Sequence, residues 1–87
     1  MKIAIKKFGE ILTSRPEGRE AYLAARAYLR PATSEEPIEL DFEGVKVLTP
    51  SWADEFISGL RSEYGQRISF LPSANPSVTL SLQMMGK

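Results

Sequence analysis

Residues 38–64 read IELDFEGVKVLTPSWADEFISGLRSEY, and this stretch decides the fold. Its first part alternates apolar with acidic side chains, in the order Ile38, Glu39, Leu40, Asp41 and Phe42. Alternation of this kind is typical of a strand with one buried face. After Gly44, we expect the run 45–48 to carry the chain on to the start of a helix. The stretch therefore predicts a strand, a turn and a helix in succession.

The predicted helix begins around Thr49 and Pro50. Thr49 is a suitable N-cap, and Pro50 suits the first helical position, where a missing N–H costs nothing. Asp54 and Glu55 are expected in the first turns, where carboxylates complement the positive end of the helix dipole. A broad apolar face recurs at helical spacing and is expected to pack on the sheet: Trp52, Ala53, Phe56, Ile57, Leu60 and Tyr64. Ser51 is thereby placed at the helix N-terminus.

Three further segments have the alternation of strands. Ile3 and Ile5 alternate with lysines and predict a first strand. Residues 10–12 predict a brief second strand that returns as a hairpin. Residues 67–71 predict the last main strand. Helices lie between these segments, and alternating strands and helices favour a mainly parallel sheet with crossover helices.

Two other helices are predicted. Ser14 and Glu17 fit a capping box at the start of the first, and Pro16 disfavours helical geometry at Arg15, which is expected just outside the helix. Pro31 is expected to stop this helix, and residues 31–37 to form a polar connector. A last helix is capped by Asn75 or Ser77, and its shared apolar face comprises Val78, Leu82 and Met85.

Strands buried on both faces are usually continuous hydrophobic runs. All three main strands of this chain alternate instead, so helices are expected on one face only. The predicted fold class is α/β, a small mainly parallel sheet in a two-layer sandwich, forming one domain over residues 1–87. The polar face of the sheet is expected either to be solvated or to form a subunit contact.

The composition argues against several classes of function. Eleven basic side chains balance eleven acidic ones, so no strong field favours nucleic acid or an anionic membrane. The sequence has no cysteine and no histidine, and therefore no thiolate nucleophile and no imidazole base or metal ligand. No cofactor is implied. No apolar run approaches the ~20 residues that span a bilayer, and the charged N-terminus is unlike a signal peptide. A cytoplasmic location is expected.

Two segments together resemble the STAS-like family of bacterial and archaeal domains of unknown function. They are ILTSRPEGREAY near the N-terminus and IELDFEGVKVLTPSWADEFISGL in the middle. Members of that family show a Ser-Arg pair opening the first helix, then a strand of the type LDF-x-G-V and a helix of the type x-S-[FW]-[AL]-D-E. The resemblance extends from Ile3 to about Met84. The matching residues are Ser14, Arg15, Leu40, Asp41, Phe42, Gly44, Val45, Ser51, Trp52, Ala53, Asp54 and Glu55.

The resemblance implies kinship with the STAS domains of anti-sigma factor antagonists and sulfate transporters. In the antagonists the comparable strand is followed by D-S-S-G-L, whose second serine is phosphorylated by a histidine-kinase-like ATPase. Ser51 takes the place of that serine, while Thr49, Pro50 and Trp52 replace the aspartate, the first serine and the glycine. The implied function is a non-enzymatic regulatory interaction with a kinase-like ATPase or a transcription-linked partner.

Five residues are candidates for the functional site. Ser51 and Thr49 are candidates for phosphorylation or partner contact, although helix capping is the role expected of Ser51. Ser14, Arg15 and Asp54 are candidates for contact with a ligand or a phosphate. Arg19 is a further candidate for phosphate contact. For both arginines, solvation or an ion pair with Glu17 or Asp54 is the more common arrangement.

Two other classes of function stay open. One is a small-ligand or nucleotide-binding module at the helix N-termini, and the other is a structural subunit that forms homo-oligomers through its open sheet face. Four carboxylates suggest an acid pair or a magnesium site, namely Asp41, Glu43, Asp54 and Glu55. No glycine-rich loop, paired lysine or histidine accompanies them, so neither catalysis nor a metal site is predicted.

Overall fold

The computed structural model describes residues 1–29 and 36–84. Within these ranges the chain forms five strands and three α-helices. In chain order they are β1 (Lys2–Ala4), β2 (Ile11–Leu12), α1 (Arg15–Tyr28), β3 (Ile38–Asp41), β4 (Val47–Leu48), α2 (Pro50–Tyr64), β5 (Ile68–Phe70) and α3 (Pro76–Met84). Short 3-10 helices at Ile5–Phe8 and Gly65–Arg67 follow β1 and α2. Pro31, most of the connector 31–37 and Met85 lie outside the described residues.

The strands form two parallel sheets. β1, β3 and β5 make one in that order, with Leu40 between Ile3 and Phe70. β2 and β4 make the other, with Leu12 opposite Leu48. The predicted parallel pairing is confirmed, because each link between neighbouring strands passes through a helix.

The predicted hairpin at residues 10–12 is wrong. The strand exists as β2, but it pairs in parallel with β4 instead of turning back on β1. A hairpin needs a tight loop of a few residues, whereas a complete 3-10 helix separates β1 from β2. The run 45–48 carries the chain on to α2, as expected. Gly44, at φ +90°, makes a turn after β3, and β4 then begins at Val47 in the other sheet.

One face of the larger sheet is covered and the other is not. Ile3, Leu40 and Ile68 are buried. Their chain neighbours Lys2 and Ser69 are exposed. The residues of β3 that point the same way as these two, among them Asp41, are only half-buried, and Asp41 lies 3.9 Å from the Lys2 ammonium. The predicted two-layer α/β fold, with helices on one face, is confirmed.

The apolar face predicted for α2 forms the centre of the core. Trp52 stacks on Phe56 with ring centroids 4.8 Å apart, and Phe8 lies 5.4 Å from Phe56. Ala53, Ile57 and Leu60 are also buried, while Tyr64 is partly buried. From α1 the core receives Ala21, Tyr22 and Ala25, and from α3 it receives Val78. The helix spacing of the sequence thus identified the buried side of α2.

The helix ends depart from expectation in three details. The Ser14 hydroxyl accepts a bond of 3.2 Å from the Glu17 N–H, as predicted, but Arg15 is the first residue of α1 and not outside it. Pro16 is tolerated beside it because the first helical turn needs no N–H donors. Thr49 occupies the N-cap position of α2 without a side-chain cap bond. The first turn of α2 also holds no carboxylate, so Asp54 and Glu55 lie beyond it.

Where α1 crosses α2, the backbones of the two helices are in contact. A Cβ atom at Gly18 would lie 2.5 Å from the Trp52 carbonyl oxygen and 3.1 Å from its Cα. On α2, a Cβ atom added at Gly59 would lie 2.6 Å from the Tyr22 ring of α1. Real contacts are never this short, so the crossing depends on glycine at both positions.

Replacing Gly18 with alanine is expected to destabilise the protein. Helix propensity alone would make the alanine variant more stable by about 1 kcal/mol. A decrease in the free energy of unfolding would therefore indicate steric crowding at the crossing. We expect the loss to exceed that gain, at roughly 1–3 kcal/mol, the usual cost of overpacking. Urea unfolding measures it, with Arg19→Ala, on the exposed face of the same turn, as the control. A stabilised Gly18→Ala protein would refute the close crossing.

Candidate functional site

The N-termini of α1 and α2 lie side by side because β2 and β4 are parallel neighbours that lead into them. The Thr49 N–H donates to the Leu12 carbonyl at 3.0 Å, and the Thr49 hydroxyl donates to the Thr13 carbonyl at 2.8 Å. Carboxyl ends of parallel strands share one edge of a sheet, where ligand and partner sites of α/β folds often lie. The candidate residues of both segments are therefore brought to one edge.

Arg15 links the two helices through carboxylates. Its guanidinium lies 2.9 Å from the Asp54 carboxylate and 3.1 Å from that of Glu55. The Ser58 hydroxyl donates to the other Asp54 oxygen at 3.2 Å. The predicted ion pair with Asp54 is confirmed. Because two carboxylates already occupy this guanidinium, an anionic ligand would have to compete with them.

The same contacts shift two pKa values. The hydrogen bond from Arg15 holds the pKa of Asp54 below its ordinary value of 3.8, against an opposing effect of desolvation, with a smaller contribution from Ser58. The hydrogen bonds to Asp54 and Glu55 raise the pKa of Arg15. Both groups are therefore held in their charged forms. The Arg15–Asp54 bridge is ionic at neutral pH.

Ser51 differs from the other candidate hydroxyls. Ser14 caps α1, and Thr49 is bonded to Thr13. Ser51 is the second residue of α2 and half-buried, and within residues 1–29 and 36–84 its hydroxyl makes no hydrogen bond. The backbone N–H groups of Ser51 and Trp52 also find no acceptor among these residues, since the first bond of the turn runs from Ala53 to Thr49. The expected capping role of Ser51 is therefore wrong, because Thr49 occupies the N-cap position and Ser51 makes no capping bond with the described residues.

A groove of about 350 Å³ lies beside α1. Its apolar part is formed by Phe8, Ala21, Ala24 and Trp52, and two carboxylates complete the lining, Glu17 and Glu20. Within the described residues neither carboxylate is in an ion pair. Paired negative charges repel a phosphate, so the groove does not favour a nucleotide.

Sequence reasoning missed Glu55 and Ser58 as members of the cluster. The spacing of Asp54 and Ser58, four residues apart on a helix, is a signal for that contact. No comparable signal marks Glu55, whose contact with Arg15 depends on how α1 crosses α2. Arg19, also a candidate, is exposed and makes no ion pair with the described residues.

The carboxylates considered for a metal site are divided between two places. Asp41 lies near Lys2, and its carboxylate accepts the Glu43 N–H at 3.0 Å, whereas Asp54 and Glu55 lie on Arg15. In the described part of the chain, no group of three acidic side chains is placed to hold a metal ion. None of the helices described there has the length and hydropathy needed to cross a membrane.

The parallel strands, one-sided helical layer and adjoining helix N-termini define a STAS-like α/β domain. A family model described as a STAS-like domain of unknown function (DUF4325) matches residues 26–79, more than half of the chain. The chain belongs to this family. The match is shorter than the range from Ile3 to Met84 that the resemblance implied, and it does not include Ser14 and Arg15. No curated protein and no solved structure matches the chain.

Arg15→Gln is expected to raise the pKa of Asp54 toward 3.8, because it removes the group chiefly responsible for the depression. A depressed carboxylate pKa stabilises the fold above the unfolded-state value and loses that contribution as pH falls through the folded-state value. Arg15→Gln should therefore narrow the difference in stability between neutral pH and about pH 3. A carboxyl NMR titration measures the shift, with Arg19→Gln as the matched control. An unchanged Asp54 midpoint in Arg15→Gln would refute the bridge.

Proposed function

We propose that this chain is a non-enzymatic regulatory domain that binds a protein partner through the surface around Ser51. One observation carries the proposal: Ser51 is accessible at the start of α2, with its hydroxyl and two backbone N–H groups uncommitted among the described residues. The family supplies the fold and leaves the function open. The resemblance of residues 47–53 to the antagonist motif supplies the class of partner, a histidine-kinase-like ATPase or a transcription-linked protein.

Phosphorylation of Ser51 is the proposed switch. A phosphate would add about −1.5 to −2 charges at a helix N-terminus, where uncommitted N–H groups and the dipole favour an anion. Asp54 and Glu55 follow on the next turn and already share Arg15. The added charge is therefore not offset by a free arginine of this cluster. Its main effect would be to repel an acidic partner surface.

Trp52 marks how this chain departs from the antagonist motif. It stands where the antagonists carry glycine, and its side chain is fully buried in the core. Trp52 therefore contributes to the interaction by fixing the start of α2, and not by direct contact with the partner. We assign partner contact to the half-exposed residues at the start of α2, with Ser51 at the centre.

The nucleotide-binding alternative is less well supported. Arg15 is engaged by carboxylates, and the groove beside α1 carries Glu17 and Glu20. Both features work against a phosphate-bearing ligand. Ser14, the remaining member of that candidate set, already caps α1.

Co-expression with a kinase-like ATPase encoded beside the gene tests the proposal. Mass spectrometry is expected to find the phosphate on Ser51. Ser51→Ala should keep partner binding but abolish its regulation. Ser51→Glu should weaken binding by at least about tenfold, or 1.4 kcal/mol, at an unchanged melting temperature, because a carboxylate suits a helix N-terminus.

Ser62→Glu is the matched control, since Ser62 is an exposed serine on the same helix. It should bind like the wild type. Equal affinities for the wild type, Ser51→Ala and Ser51→Glu would overturn the assignment of Ser51 as the switch.

A further inference from the structure

Five large hydrophobic side chains are exposed among the described residues. They are Ile11, Leu23, Val47, Leu80 and Met84, with 63%, 43%, 38%, 57% and 72% of their surface exposed. Leu23 lies on α1, while the other four belong to β2, β4 and α3. Single exposed apolar residues are ordinary, but contiguous ones mark interaction sites.

Ile11 and Val47 are adjacent. They are register partners in the two-stranded sheet. Each is followed by a buried leucine, Leu12 or Leu48, and neighbouring residues of a strand point to opposite faces. Ile11 and Val47 therefore project together from the face of this sheet that lies away from the core.

The position of α3 extends the apolar area. The Ser77 hydroxyl accepts from the Leu48 N–H at 2.9 Å, and both Ser77 and Ser81 donate to the Leu48 carbonyl. This side of α3 therefore runs along the edge of β4. Val78 is fully buried and marks the core side of the helix.

Helical spacing then fixes the opposite side of α3. At about 100° per residue, Leu80 and Met84 lie on the other side of the Ser77–Ser81 line from Val78. That side is the one on which the small sheet displays Val47. Ile11, Val47, Leu80 and Met84 thus form one continuous surface, the β2–β4–α3 surface.

We propose that the β2–β4–α3 surface binds a second copy of the chain. The charges beside it are of both signs: the Glu10 carboxylate lies 3.4 Å from the Lys46 ammonium and 3.9 Å from that of Lys6. Glu10 and Lys46 immediately precede Ile11 and Val47, so each copy carries an acidic and a basic side chain together at the start of the two strands. A two-fold interface requires such self-complementarity.

The charge of the chain supports the same occupant. A surface edged by charges of one sign would select a partner that carries charges of the opposite sign. The edge of this surface carries charges of both signs. Eleven basic and eleven acidic residues give a formal net charge of zero, so two copies do not repel each other. Pairing would also cover a sheet of two short strands, which is marginal with one face open to water.

Sedimentation velocity of the full chain tests the proposal from about 1 µM to about 1 mM, where weak dimers with Kd values in that range dissociate. We expect a concentration-dependent change from monomer to dimer. Val47→Lys and Leu80→Lys should each raise the dissociation constant at least about tenfold, because both place an ammonium group in the apolar surface. Leu23→Lys, at the exposed leucine of α1, should leave the constant unchanged.

Thermal melts establish that the variants are folded. If Val47→Lys unfolds, Leu80→Lys and a chemical-shift dilution series of the wild type answer the question, since shifts should concentrate at Ile11, Val47, Leu80 and Met84. A wild type that is monomeric throughout, or Leu23→Lys disrupting the dimer as strongly, would overturn the proposal. Ser51→Glu should dimerise normally, so this inference and the proposed function fail independently.

Discussion

The close crossing of α1 and α2 is the contact on which the rest of the structure depends. Gly18 allows the backbone of α1 to meet that of α2 at Trp52, and Gly59 leaves room for the Tyr22 ring. Arg15 precedes Gly18 by one turn of α1, and this places its guanidinium on Asp54 and Glu55. The ionic bridge at the surface is thus a consequence of packing in the core. A wider separation of the helices would leave these charges in water and move the N-termini apart.

Asn75 and side chains of α3, which begins at the next residue, bond the backbone of β4 and the two residues before it where a further strand would otherwise pair. The Asn75 amide donates to the carbonyls of Val45 and Lys46 at 2.8 and 3.2 Å, and the Ser77 hydroxyl pairs with both polar groups of Leu48. Buried backbone groups need partners, and α3 supplies them without extending the sheet. Its buried serine, Ser81, serves the same edge. That edge of β4 is therefore closed to strand addition.

The sequence predicted the local structure well, because local structure depends on periodicity and on residues that begin or end helices. The apolar face of α2, the one-sided burial of the larger sheet and the Ser14 cap all follow from near neighbours in the chain. The pairing of β2 with β4 joins residues 36 apart, such as Ile11 and Val47. Two-residue strands carry too little pattern to specify their partner, and a hairpin was the simpler expectation.

The candidate site was predictable only in part for the same reason. The Arg15–Asp54 pair follows from complementary charges at two helix starts, but the role of Glu55 depends on the crossing of the helices. Thr49 was expected to cap α2, yet its hydroxyl holds the neighbouring segment through Thr13. That bond would have to break if Thr49 carried a phosphate, and the contact between the N-termini of α1 and α2 would be weakened. Ser51 has no such bond within the described residues. Of the two hydroxyls, Ser51 is the one whose modification leaves the described hydrogen bonds in place, which makes it the better candidate for the proposed switch.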